Sequence, residues 1–481
     1  MSASFFFYDL ETSGFNPREA RIMQFAGQRT DMELKPIGEP VDIFVKMTED
    51  ILPEADAILL TGITPQATIA EGVTEAEFLK QFTHEVATPD TIFLGYNTVR
   101  FDDEFMRTLH YRNFYDAYEW QWQDGRSKWD LLDMVRLTRA LRPEGIAWPF
   151  DAKGNPTNRL ELLTALNRLD HAHAHDALSD VTATIAIARL IYNKQPKLFE
   201  YLLQMRDKKR VAELVGGGKP FVYTSGKYPS EFEKTTVVAT VCNHPQKQAA
   251  LVFDLRHDPS EYQNMTPEQL VEKWRWKKDS TEARLPVKTL QFNHCPAIAP
   301  LAVLDDASRE RLHIDLAVIR KHHAILLGMK DLPERLLKAL EMMESQRQAS
   351  FLANEQEVDG RLYDGFFGAQ DKQSMRVVRA ADPAELGDNL GLKFQDNRLE
   401  ALLPLYKARN HPRALSSDER TTWEQYCEQR LLGGGQHSRM AKYFARLQDI
   451  VAKGQLTGHQ EYLLEELRLY GESIMPESEG Y

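Results

Sequence analysis

Phe5-Phe6-Phe7-Tyr8-Asp9-Leu10-Glu11-Thr12 is the stretch whose reading decides the fold. Four consecutive aromatics have the bulk and β-propensity of a buried central strand. The strand then runs into Asp9, Glu11 and the turn residues Thr12-Ser13-Gly14. Side chains two apart on a strand share a face, so Asp9 and Glu11 point the same way from the end of an apolar sheet. Two carboxylates held together repel unless a positive charge lies between them, and a hard divalent cation with oxygen ligands meets that need. The same residues would also serve a strand that simply ends in a solvated acidic turn.

Working outward, 481 residues are too many for one ordinary core, and about two to four domains are expected. A composition of 42% apolar and 27% charged residues is that of a globular protein, and no apolar run is long enough to span a bilayer. The aromatic run at the start is too short for a signal peptide, has no basic lead-in and contains the acids. Cys242, Cys295 and Cys427 are widely spaced. They argue for a reducing, cytoplasmic setting and against a disulfide framework or structural zinc. The net charge is −12 but unevenly spread: residues 1–190 carry −12, 191–350 carry +5 and 351–481 carry −5. An acidic first domain beside a basic one suits a metal site next to a polyanion track, and equally two domains that attract each other.

In order along the chain, 22–31 and 41–47 read as strands completing a three-stranded meander with the first. Residues 59–65 read as a loop ending in a helix-starting Thr64-Pro65, and 75–86 as an amphipathic helix. A second apolar strand at 91–96 again delivers acid, now through Asn97 and Phe101 to Asp102 and Asp103 at the start of a helix. One such acid is an ordinary helix N-terminal charge; two strand-end acids in one domain are less easily dismissed. Residues 107–136 interleave cations and rings, among them Arg107, Tyr118, Trp122 and Arg136. A single nucleic-acid strand needs that mixture for stacking and phosphate pairing, although most of the rings must be core. Then His171, His173 and His175 alternate ahead of a helix carrying Asp180. No Cys or helically spaced Glu accompanies them, which speaks against zinc. His175 and Asp180 would lie about 140° apart on a helix, so they converge only if His175 sits in the loop before it.

Asp9-x-Glu11, Asn97 with Phe101-Asp102, and His175 with Asp180 resemble the three ordered motifs of the DEDDh exonucleases. The likeness extends to the bacterial exodeoxyribonuclease I family through Gly95-Tyr96-Asn97, Tyr111-Arg112-Asn113-Phe114, Trp129-Asp130-Leu131-Leu132-Asp133, Leu141-Arg142-Pro143-Glu144-Gly145-Ile146 and Ala174-His175-Asp176-Ala177. Residues 359–367 and Tyr406-Lys407-Ala408-Arg409-Asn410 continue it near the end. The resemblance implies an α/β, RNase H-like exonuclease domain with a mixed sheet over residues 1–195. An SH3-like β-barrel domain with helices would follow over 196–350, basic and DNA-clamping, then an α-helical C-terminal domain over 351–481. It further implies a 3′-to-5′ exonuclease acting processively on single-stranded DNA in repair and recombination, with two Mg2+ ions and Mn2+ as a substitute. Asp9, Glu11, Asp102 and Asp180 would be the ligands. His175 would be the general base, a role suited to its near-neutral pKa. Glu11 and Arg159 would contact the terminal nucleotide, with Arg107, Tyr118, Trp122 and Arg136 along the strand. The expected partner is the acidic tail of single-strand DNA-binding protein, received by cations such as Arg142 or by the middle domain, and the chain is expected to be a monomer. An RNA-trimming nuclease of the same class stays open, because nothing in the sequence tests a 2′-hydroxyl. A non-catalytic single-strand clamp would be favoured only if a key residue were missing.

Beyond residue 195, strands are expected at 221–225, 235–241, 249–255 and 287–292, and helices at 267–276, 315–327 and 332–344. The basic runs 206–210 and 273–278 suggest an exposed cationic face. From 352 on the chain reads as helical, with Ser416 and Glu419 forming a capping box and Gly433-Gly434-Gly435 ending that helix.

Overall fold

The structure is a computed structural model and describes residues 3–169, 176–275, 284–353, 357–386 and 390–476. The aromatic stretch forms β1 (Ser4–Thr12), flanked by β2 (Ile22–Thr30) and then β3 (Val41–Phe44). Helices α1 (Ala55–Thr61), α2 (Pro65–Glu71) and α3 (Glu75–Gln81) lead to β4 (Thr91–Gly95). Next come α4 (Asp102–Arg112), β5 (Ser127–Asp130), α5 (Leu131–Leu141), α6 (Leu160–Leu166) and α7 (Ala177–Lys194). The sheet order is β3-β2-β1-β4-β5; β1 runs antiparallel to β2 and parallel to β4, which is parallel to β5. β1 is therefore central, as its aromatic run requires. Its alternation decides which layer each residue enters. Phe5 and Phe7 pack with α5 and α7, whereas Phe6, Tyr8 and Leu10 pack with α3 and α4. Asp9 and Glu11 continue the Phe5–Phe7 face. The β1–β2 register shifts between Glu11 and Thr12, an irregularity of the kind that re-aims side chains beside functional sites.

The stretch 59–65, expected as a loop, is helical through Thr61. Gly62 closes α1 with a left-handed φ of 75°, and Thr64 caps α2 with Pro65 at its first position. β5 escaped the sequence reading because Ser127-Lys128-Trp129-Asp130 is short and charged, and parallel pairing with β4 makes it a strand.

The middle segment contains α8 (Pro196–Gln204), α9 (Lys208–Gly216), β6 (Phe221–Thr224), β7 (Thr235–Asn243), β8 (Ala249–Asp254), α10 (Pro267–Trp274), β9 (Val287–Gln291), β10 (Ala297–Pro300), α11 (Asp306–Arg311), α12 (Leu316–Gly328) and α13 (Leu332–Ala353). The strands form a wholly antiparallel sheet ordered β10-β6-β7-β8-β9. β10, four residues ending in proline, was not anticipated. The cationic face expected at 206–210 is only partly one. Arg206 turns inward, donating to Ser127 Oγ at 3.2 Å and to the Leu203 carbonyl at 2.7 Å, while Lys208, Lys209 and Arg210 are exposed. Of the run 273–278, residues 276–278 lie outside the described residues.

The last segment holds α14 (Ala369–Ala380), α15 (Asn397–Asn410), α16 (Ser417–Leu432), α17 (Arg439–Lys453) and α18 (Gly458–Ser473). Both halves of the Ser416–Glu419 capping box form. This helical segment shares cores with the first domain rather than standing apart. Met23, Met47, Ile51 and Ile58 pack with Tyr443, Leu447, Leu463 and Tyr470, and Tyr111 and Phe114 pack with Leu362, Met375 and Tyr406. Beside those cores lies a buried ionic seam. Asp359 accepts from Arg21 at 2.7 Å and from Arg409 at 2.8 and 2.9 Å; Arg409 also donates to Asp50 at 2.8 Å. Glu75 accepts from Arg112 and from Asn113, and Asn113 is in turn bonded by Asn410. All three cysteines are free, and among the described residues no helix is long and apolar enough to cross a membrane.

Candidate active site

The ends of β1, α4 and α7 meet at one point of the sheet's edge. Asp9 and Glu11 come from β1, and Asp180 from the first turn of α7, which Asp176 caps by accepting from Ser179 N at 2.9 Å. Carboxylate oxygens of Asp9, Glu11 and Asp180 all lie within 4.8 Å of one another. Asp102 opens α4 and is buried beside them; its charge is the strongest acidic influence on Asp9. Burial, reinforced by these neighbours, pushes Asp9 and Asp102 well above the usual carboxylate range and Glu11 up to about 9. A set of oxygen-only donors crowded until burial and mutual repulsion disfavour their charged forms fits a divalent cation, which relieves the repulsion.

The sequence left open whether Asp102 or Asp103 faces the site, and the packing separates them. Asp103 points into the sheet's other layer, accepting from Tyr8 Oη at 2.7 Å, Lys128 Nζ at 2.9 Å and Arg107 Nη2 at 3.3 Å. Burial would raise it, but Lys128 and Arg107 outweigh that and hold it below its ordinary value. Asp103 is thus the anchor that fixes α4's first turn and aims Asp102 at β1. Asp130, at the end of β5, plays a similar part. It accepts from the backbone N–H groups of Asn97 (3.1 Å), Val99 (3.2 Å) and Leu132 (2.9 Å), holding Asn97 at a left-handed φ of 77°. Neither anchoring role was read from the sequence; a third strand ending in acid was the available signal.

Residues expected along the substrate path fall in two groups. Arg159 is exposed at the start of α6 and pairs with Glu161; the neighbouring Asn158 carbonyl accepts from Tyr96 just beyond β4. Arg136 pairs with Asp133 at 2.6 Å, against Gly226 of the middle segment. On the other side Arg107 is buried, committed to Asp103, Glu104 and Gln121, with its guanidinium 5.7 Å from the Tyr118 ring. It braces Tyr118 rather than lining a surface. Tyr118 is half-buried and Trp122 is 60% exposed, with no ring stacked on it among the described residues. His175, with His171 and His173, lies outside the described residues.

A mixed sheet whose central strand ends in paired acids, joined by acids from two helix starts, defines an exonuclease of the DEDD class. Residues 6–188 match the family model described as Exonuclease. Residues 206–342 match the exonuclease I SH3-like domain and 356–474 the exonuclease I C-terminal domain. The chain is 38% identical over 479 residues to exodeoxyribonuclease I of Haemophilus influenzae, covering 98% of this chain and 99% of that protein. It superposes with a TM-score of 0.92 on Escherichia coli exonuclease I solved with a dA16 oligonucleotide, at 37% identity over 98% of this chain and all of that one. A solved SSB/exonuclease I complex with the inhibitor CFAM gives a TM-score of 0.88 at 36% identity, over 99% of this chain and all of that one. The chain belongs to the exonuclease I family.

Proposed function

We propose that this enzyme removes mononucleotides from the 3′ end of single-stranded DNA by phosphodiester hydrolysis, processively and with Mg2+. The observation that carries the reading is the convergence of Asp9, Glu11 and Asp180 within 4.8 Å, with Asp102 beside them. The solved relative with a dA16 oligonucleotide supports the substrate. Asp9, Glu11, Asp102 and Asp180 would hold the cations, which when bound supply a nucleophilic water and neutralise the departing oxygen. His175, which precedes α7 in the sequence, would take the water's proton. Glu11 also meets the terminal sugar, and Arg159, exposed beside the end of β4, contacts the last nucleotide. Tyr118, Trp122 and Arg136 line the strand further out, with Arg107 stiffening Tyr118 from behind.

The chain divides at about 195 and 350 in this reading, with α8 as a seam: Phe199 packs on Trp129 of the first domain at 5.2 Å. The acidic tail of single-strand DNA-binding protein is the proposed partner, and the solved SSB complex of a relative supports it. Arg142 is the cation offered, reaching from the end of α5 to Asp305 at 3.3 Å and to the Val303 carbonyl at 3.1 Å in the middle segment. End-labelled single-stranded DNA, duplex DNA and RNA, each incubated with Mg2+ or with EDTA, test the reading. Mononucleotides from single-stranded DNA alone, only with Mg2+, are expected. Equal digestion of RNA would transfer the enzyme to the RNA-trimming class, and cutting in EDTA would end the metal mechanism.

A further inference from the structure

The loop that carries Arg159 is held from the middle segment. Residues 142–159 link α5 to α6 and form a built arm. Phe150 bridges to Pro156, and Asp151 closes the turn between them by accepting from the backbone N–H groups of Lys153 and Asn155, each at 2.8 Å. α5 reaches this arm through Arg139, one of the largest fully buried side chains among the described residues. Its Nη1 donates to the carbonyls of Pro149 at 2.9 Å and Thr157 at 2.6 Å, one on each limb, and its guanidinium lies 4.8 Å from the centre of the Phe150 ring. The charge that answers Arg139 comes from another part of the fold. Glu233, in the turn between β6 and β7, meets Arg139 Nε at 3.6 Å. Arg311 of α11 meets the other Glu233 oxygen at 3.7 Å and donates to the Ala140 carbonyl at 2.7 Å.

Two features set this contact apart from ordinary packing. Glu233 and Lys234 both have left-handed backbone, with φ of 49° and 60°, a conformation that costs free energy in residues other than glycine. Burial also outweighs the attraction between the partners. Glu233 stays above its ordinary carboxylate value despite Arg139 and Arg311, and Arg139 stays below its ordinary value despite Glu233. The ionised pair is therefore a weak source of stability, as buried pairs often are. What it fixes is the far limb of the arm. Thr157 lies two residues before Arg159, and the intervening Asn158 carbonyl accepts from Tyr96 Oη just beyond β4. We propose that Glu233 is a positioning residue supplied by the middle segment: acting through Arg139, it sets the 149–159 arm so that Arg159 meets the terminal nucleotide. The middle segment then helps to build the active site as well as to hold the strand. The proposal rests on the role given to Arg159 above.

The test is a double-mutant cycle in the full chain, read as kcat/KM for end-labelled single-stranded DNA with Mg2+. Glu233→Gln keeps the shape and removes the charge, and should lower kcat/KM roughly 10- to 100-fold, the scale expected when a substrate-positioning group is displaced. Arg159→Ala should lower it at least as much, and adding Glu233→Gln to Arg159→Ala should cost nothing further. Arg139→Lys, which keeps the charge on a shorter side chain without the planar fork, should repeat the Glu233→Gln loss, and Glu233→Asp should recover part of it. Urea denaturation in EDTA runs alongside: a stability change in Glu233→Gln should persist in the Arg159→Ala background, where the kinetic loss vanishes. Unchanged kcat/KM in Glu233→Gln and Arg139→Lys would overturn the proposal. Equal losses with and without Arg159 would overturn it too, and leave Glu233 a structural residue. Wild-type kinetics in Arg159→Ala would instead remove the role of Arg159 and the positioning role with it.

Discussion

Asp359→Asn should destabilise the whole protein severely although the residue lies far from the acid cluster in sequence. Asp359 is fully buried and accepts three charge-assisted hydrogen bonds, one from Arg21 of the first domain and two from Arg409 of the third. The neutral isostere leaves both guanidiniums short of a counter-charge, since Arg409 keeps Asp50 but Arg21 keeps only Glu75 at 3.9 Å. Removing one partner from a buried ion pair costs about 3–5 kcal/mol. Against a typical total of about 5–15 kcal/mol, that is a large fraction. The pH dependence follows from the same contacts. Burial alone would raise Asp50, yet Arg409 and Arg430 hold it at about 2, and Asp359 is held lower still by Arg409 and Arg21. Carboxyls depressed in the folded state stabilise it fully above their unfolded value near 4, and that contribution is lost as pH falls through the folded values. Asp50 alone contributes about 2 kcal/mol in this way, lost between roughly pH 4 and pH 2. Urea denaturation of wild type, Asp359→Asn and Arg21→Met at pH 7 and in steps from about pH 4 down to about pH 2 reads these effects. The wild type should lose its advantage over Asp359→Asn as the acid limit is approached. A loss below about 1 kcal/mol at pH 7, additive between the two sites, would refute the seam as a structural element. The same reasoning gives an expectation for residues 1–195 alone. They hold every proposed catalytic group, but lose Asp359, Arg409 and Arg430 and half of two shared cores, so circular dichroism should find no cooperative unfolding.

Replacing Asp9, Glu11, Asp102 or Asp180 singly by Ala should abolish hydrolysis while leaving the metal-free protein at least as stable as wild type, because each removes a repelling charge; a melting series with an activity assay checks both. His175→Ala should slow turnover roughly 10²- to 10⁴-fold with DNA affinity little changed, and His171→Ala and His173→Ala should be far milder, as single-turnover kinetics would show. The raised carboxyls at the site act opposite to Asp50. With Glu11 at about 9 in the fold, the metal-free protein should lose stability as pH rises from about 4 toward 9, and the rise in melting temperature on adding Mg2+ should grow between pH 6 and pH 8.5. An increment that does not change with pH would contradict the assigned ligands. Tyr8→Phe should lower activity through Asp102, because it removes the 2.7 Å bond that anchors Asp103.

Sequence alone determined β1, because four aromatics can be buried only in the middle of a sheet, and period-two alternation then places Asp9 and Glu11 on one face. Helix starts were legible wherever a local rule operates, as at Thr64-Pro65 and Ser416 with Glu419, since capping involves residues three or four apart. β5 and β10 were not legible: each is four residues long and becomes a strand through a partner far along the chain. The choice of Asp102 over Asp103 as the site acid was likewise open. It depends on Tyr8 and Lys128, which reach Asp103 from two different strands. Arg107 looked like a surface cation in a ring-rich stretch, and only packing shows its charge spent on Asp103 and Glu104. The widest gap concerns the helical domain. Its ion pairs with the first domain join residues more than three hundred positions apart, such as Arg21 with Asp359 and Asp50 with Arg409. Composition registers those charges, but burial, which decides whether an ion pair is worth nothing or several kcal/mol, is a property of the folded chain.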